Sequence, residues 1–120
     1  MKYRQALIFL VLLSFNAFAD LNKEISHLLQ YVKSTDCQYE RNGVLYSGYE
    51  AAEHIIKKYN YYIDEIDSAE NFIKYAATKS KMSGKHYVVH CAGQLTVNSH
   101  HWLLAELKKF RIVRKQNINY

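Results

Sequence analysis

The run from Cys37 to His54 leaves the chain little choice of local structure. At its centre stands Asn42-Gly43, a pair in which both residues accept positive φ, as a two-residue type I′ turn requires. Cys37 to Arg41 lead into the turn and Val44 to Tyr46 lead out, both in strand-like alternation, so the spacing predicts a hairpin over residues 37–46. A two-residue turn sets Tyr39 opposite Tyr46 and Glu40 opposite Leu45. Ser47, three residues before Glu50, forms a capping box, so a helix is expected to begin as soon as the hairpin ends.

Residues 1–19 read as a signal peptide. Lys2 and Arg4 precede an apolar run, and Ala17-Phe18-Ala19 has the small-x-small form that signal peptidase cleaves, with Asp20 as the new terminus. The apolar run is too short for a spanning helix, and no stop-transfer segment follows, so no transmembrane segment is expected after cleavage. Removing 19 of the 120 residues leaves 101, expected to form one small domain over 20–120 with a frayed basic tail after about 111. In an exported chain thiols are oxidised, and Cys37 and Cys91 make an even pair. Their disulfide would contribute ~4 kcal/mol in the chain-entropy view, enough to matter in a domain this small. The alternative, Cys37 as a nucleophile with His54 as its base, needs a free thiol in an oxidising compartment. The formal charge of +5 falls to +3 once Lys2 and Arg4 leave. That mild excess suits anionic envelope components, and no nucleic-acid motif accompanies it. Eleven Tyr and no Pro complete an unusual composition, in which the tyrosines suit half-exposed sheet faces and binding surfaces alike.

Helical spacing recurs four times. Leu21, Ile25, Leu28, Leu29 and Val32 mark a helix over Leu21–Ser34. Ala51, Ala52, Ile55, Ile56, Tyr59, Tyr62 and Ile63 form the buried side of a second, from Gly48 to about Tyr62. Asp67 and Glu70 start a third that runs to about Lys79 and buries Ala69, Phe72, Ile73, Ala76 and Ala77. Ser99 caps a last helix whose stripe is Leu103, Leu104, Leu107 and Phe110. Between the last two, Ser80–Lys85 reads as a turn, and His86 to Cys91 as a strand with Tyr87, Val89 and Cys91 on one face. Residues 93–98 fit either a loop or a short return strand. The expected fold is α+β: about four helices on a small antiparallel sheet made of hairpin 37–46 and strand 86–91, held by one disulfide.

Arg41, His54 and Lys58 are the candidate anion-binding residues, since His54 and Lys58 lie one turn apart on the polar side of the second helix. The plainer alternatives are a solvated helix face and a salt bridge from Arg41 to Glu53 or Glu70. Trp102 falls off the stripe of its helix and either covers one end of the sheet or offers a partner surface. Ser80 and Ser83 are the candidate nucleophiles of an alternative hydrolase or transferase, with His54 as base. No metal site is expected. His100-His101 point about 100° apart on a helix, and His86 and His90 stand ~13 Å apart on a strand. No cofactor motif is present.

Cys37, Arg41-Asn42-Gly43, Ala51-Ala52, His54, Lys58-Tyr59, Glu70 with Phe72-Ile73, Ser80, Ser83-Gly84, Tyr87, and Trp102-Leu103 with Leu107 occur in an order that resembles a family of small exported bacterial proteins. That family is known only as a domain of unknown function and includes the YfeK-like periplasmic proteins. Lys81 and His86 depart from its pattern, where a second serine and a proline are expected. The resemblance implies an envelope location and no known activity. The expected function is a non-catalytic binding or interaction module of the envelope, periplasmic or else secreted, whose partner is an envelope protein or a small anionic ligand. A structural envelope protein that binds through a Tyr/Trp surface is a further alternative.

Overall fold

The computed structural model of the protein describes residues 19–118, and the signal peptide expected over 1–19 lies, but for Ala19, outside them. The described chain forms four α-helices and a four-stranded antiparallel sheet, the α+β architecture read from the sequence. Helix α1 covers residues 19–34. Strands β1 (Gln38–Arg41) and β2 (Val44–Tyr46) form the hairpin, with Tyr39 facing Tyr46 and Glu40 facing Leu45. Asn42 and Gly43 turn at φ of 51° and 81°, both in the left-handed region that the type I′ turn needs. Helix α2 spans Gly48–Tyr61, and both halves of its capping box form: Ser47 Oγ accepts from Glu50 N, and Glu50 accepts from Ser47 N.

Helix α3 (Ala69–Ala76) begins one residue later than expected, because Ser68 and not Asp67 is the cap. It also ends before Lys79. The Thr78 hydroxyl donates back to the Ile73 carbonyl, and Lys79 leaves the helix to bridge His86 in antiparallel fashion. Strands β3 (Val88–His90) and β4 (Val97–Asn98) complete the sheet in the order β2-β1-β3-β4, so the ambiguous 93–98 stretch ends in a return strand. Cys37 and Cys91 are joined, with Cα atoms 4.4 Å apart. Helix α4 (Ser99–Ile118) follows directly. Ser99 is its first residue rather than its cap, and the hydroxyl instead meets Tyr39 Oη at 2.8 Å in the interior.

One core joins these layers. Leu28 and Val32 of α1, Ala52 and Ile55 of α2, Phe72, Ile73 and Ala76 of α3, Val89 of β3, and Leu103 and Leu107 of α4 are all buried. Burying each of the larger of these side chains contributes about 1.5–3 kcal/mol. Ile56 and Ile63, expected on the buried side of α2, remain 40% and 47% exposed; the side that is buried carries Ala51, Ala52 and Ile55, and Tyr59 packs edge-on against Phe72 of α3. Two close approaches set the frame. Gly48 lies against the end of α1, where a Cβ would stand 2.3 Å from the Val32 carbonyl oxygen. Glu24 of α1 is buried and accepts from Arg111 Nε at 2.8 Å and Arg114 Nη2 at 2.9 Å, while Glu70 takes the other edge of the Arg111 guanidinium at 2.8 Å. Arg111 and Arg114 belong to α4, which runs on as helix to Ile118 past the point, about 111, where a frayed tail was expected. Arg111 also engages Glu70, so the expected Arg41–Glu70 salt bridge is not made.

Candidate functional site

The hairpin turn sends Arg41 off the end of β1, α2 presents His54 and Lys58 one turn apart, and Tyr87 stands just before β3. The β1–β3 register pairs Tyr39 with Val89 and Glu40 with Val88; continued one step, it sets Arg41 across from Tyr87. Four side chains from three elements thus meet at one end of the sheet. Arg41 Nη1 lies 2.6 Å from both ring nitrogens of His54, and Arg41 Nη2 donates to Tyr46 Oη at 3.3 Å. Lys58 Nζ donates to the Lys79 carbonyl at 2.7 Å and to Tyr87 Oη at 3.1 Å. His54 Nε2 reaches the same Tyr87 oxygen at 3.3 Å.

The protonation states follow from this geometry. Burial, reinforced by the positive charges of Arg41, Lys58 and Lys57, holds His54 down at about 4, so its ring is neutral at physiological pH. A neutral imidazole has one bare nitrogen. The tautomer that uses both contacts has Nδ1 accepting from Arg41 and Nε2–H donating to Tyr87. Tyr87 Oη then accepts from both His54 and Lys58, which leaves its own O–H free to donate. Burial raises the Tyr87 phenol, which keeps it protonated, and burial together with Arg41 lowers the Lys58 ammonium. The cluster therefore offers donors: guanidinium, ammonium and phenol. Among the described residues no carboxylate lies within ion-pair distance of Arg41 or Lys58, and the salt bridge to Glu53 is not formed.

Two clefts flank this ridge. The smaller, of about 190 Å³, is lined by Tyr39, Arg41, Tyr46, Glu50, Glu53 and His54, among others. The larger, of about 550 Å³, extends from Arg41, His54, Lys58 and Tyr87 to Tyr61, Tyr62 and the turn that carries Ser80 and Met82. Ser80 shares that cleft with His54, but its hydroxyl accepts from Asn42 Nδ2 at 3.3 Å, and Ser83 Oγ donates to Asn42 Oδ1 at 2.5 Å. The serines thus serve the hairpin turn, and His54 serves Arg41 and Tyr87. Trp102 stands apart. It packs edge-on against Tyr31 at 4.4 Å and Tyr39 at 5.9 Å and lines neither cleft. Among the described residues no group of three or more His, Cys, Asp and Glu is placed to hold a metal ion, and no helix is long and apolar enough to cross a membrane.

Sequence reasoning named Arg41, His54 and Lys58 but gave Tyr87 no role beyond the strand. The signal was present. A Cys37–Cys91 pair in antiparallel strands fixes a register, and counting four residues along each strand reaches Arg41 and Tyr87 together. Tyr61, Tyr62 and Lys81 were missed because the α2 end and the 81–83 turn are far apart in sequence and are brought together only by the helix packing.

No curated protein and no solved structure matches the chain. The model of a family of unknown function, DUF5329, matches residues 19–111, which is most of the chain, and the protein belongs to that family.

Proposed function

We propose that the protein is an exported, YfeK-like bacterial envelope protein that binds an anionic group at Arg41, Lys58 and Tyr87 without catalysing a reaction. The observation that carries this reading is that two part-buried cations, Lys58 on the Tyr87 phenol and Arg41 on the His54 ring that touches the same phenol, come together with no carboxylate within ion-pair distance among the described residues. Withdrawing such charges from water is costly unless a counter-charge is supplied, and a ligand is the natural source. Export is supported by the leader pattern of residues 1–19 and by the Cys37–Cys91 bond, which persists in oxidising compartments. The purified exported chain should begin at Asp20, which its mass reports. Calorimetric titration of that chain with inorganic phosphate at low salt should show saturable binding, weakened about tenfold or more by Arg41→Gln and by Lys58→Gln. Absence of heat from the parent would remove the anion seat. The hydrolase reading keeps one supporting observation, that Ser80 and His54 line the same cleft. Ester turnover that vanishes in Ser80→Ala would favour it.

A further inference from the structure

The larger cleft has a charge pattern that the smaller one lacks. Arg41, Lys57, Lys58 and Lys81 line it, and among the described residues no carboxylate does, whereas Glu50 and Glu53 line the smaller cleft. Its edge is apolar and aromatic. Met82, in the 81–83 turn, is 99% exposed, and Tyr61, at the end of α2, is 71% exposed. Lys81 ties these two parts together, with Nζ 5.1 Å from the Tyr61 ring centroid and 5.6 Å from that of Tyr62.

Cations set behind a rim of tyrosine and a projecting thioether match the layers of an anionic lipid surface. Tyrosine rings settle at headgroup level, basic side chains are drawn to the phosphates, and an apolar tip gains from leaving water. A small soluble anion would be satisfied by Arg41, Lys58 and Tyr87 alone and would leave the exposed Met82 without a role. Building on the anion-seat reading above, we propose that this cleft docks on anionic phospholipid. One lipid phosphate sits between Arg41, Lys58 and Tyr87, while Met82 and Tyr61 dip into the headgroup layer. With four cations and no helix able to span a bilayer among the described residues, the attachment is peripheral, reversible and weakened by salt.

The test uses the processed chain beginning at Asp20, purified from the periplasm with its disulfide formed. It compares flotation on phosphatidylglycerol vesicles, flotation on phosphatidylcholine vesicles, and calorimetric binding of soluble glycerol phosphate. The parent should float with phosphatidylglycerol only, and high salt should release it. Arg41→Gln should weaken both vesicle and glycerol phosphate binding by about fivefold or more. Met82→Ser, at a site open to solvent and so harmless to folding, should weaken vesicle binding by about fivefold while leaving glycerol phosphate binding unchanged. Glycerol phosphate binding without flotation, or flotation indifferent to Met82→Ser, would overturn lipid docking and leave the anion seat standing. Failure of the parent to bind either probe would overturn both.

Discussion

His54 shows how neighbours decide what a side chain does. Its ring is held near 4 by burial and by three surrounding cations, against 6.5 for a free imidazole. Between those values the unfolded chain takes up a proton that the folded chain refuses, so stability must fall as pH drops from about 6.5 toward 4. The limiting slope is ~1.4 kcal/mol per pH unit for one proton, and the slope expected here is smaller because the ring is only part-buried and solvent screens it. Glu24 and Glu70, held low by Arg111, and Glu50, held low by the Ser47 backbone, lose their contribution only below their ordinary 4.5, so the upper part of the window belongs to His54. Urea unfolding at stepped pH should show this decline in the parent and not in His54→Gln. The same residue marks the limit of sequence reading. The spacing of His54 and Lys58 was legible because α2 is locally determined, whereas Glu24 gave no signal, its partners Arg111 and Arg114 lying at the far end of the chain.

Elements were legible to the degree that their instructions are local. The hairpin and the start of α2 are written in adjacent residues and formed as read, down to both capping-box bonds. The end of α3 depends on a bridge between Lys79 and His86 across a turn, which no short window contains, and helical periodicity overran it. The junction of α1 with α2 is similarly non-local. Gly48 occupies the first turn of α2, where most residues are acceptable, yet here the Val32 carbonyl and the Thr35 methyl lie too close for a Cβ. Gly48→Ala should therefore cost about 1–3 kcal/mol, the usual penalty of overpacking, although alanine is the better helix former. Thermal melting decides this, and a variant as stable as the parent would mean that the α1–α2 junction can open without loss.

For the whole molecule, the sheet order places β1 at the join between two kinds of neighbour: β2, reached through a two-residue turn, and β3, which arrives from the other half of the chain. The disulfide fastens the end of the sheet away from the cleft, linking residues 54 apart in sequence. Cys91→Ala should lower stability by about 2–5 kcal/mol, and the parent should take up no alkylating agent without reductant. Both follow from the formed bond and are read by urea titration and mass.

That central position of β1 also has a consequence in time. The hairpin can close in microseconds, but the β1–β3 pairing must wait for a long loop to find its end, and such searches set the pace of folding. A chain refolding with the bond intact has that loop already closed, so it should recover faster than the same chain with its thiols reduced. With no prolines there is no isomerisation to slow either reaction, and with two cysteines there is only one possible pairing, so oxidation cannot trap a wrong isomer. Stopped-flow refolding of the oxidised protein should give a single exponential, and a second phase lasting tens of seconds would show that some step other than strand docking controls it.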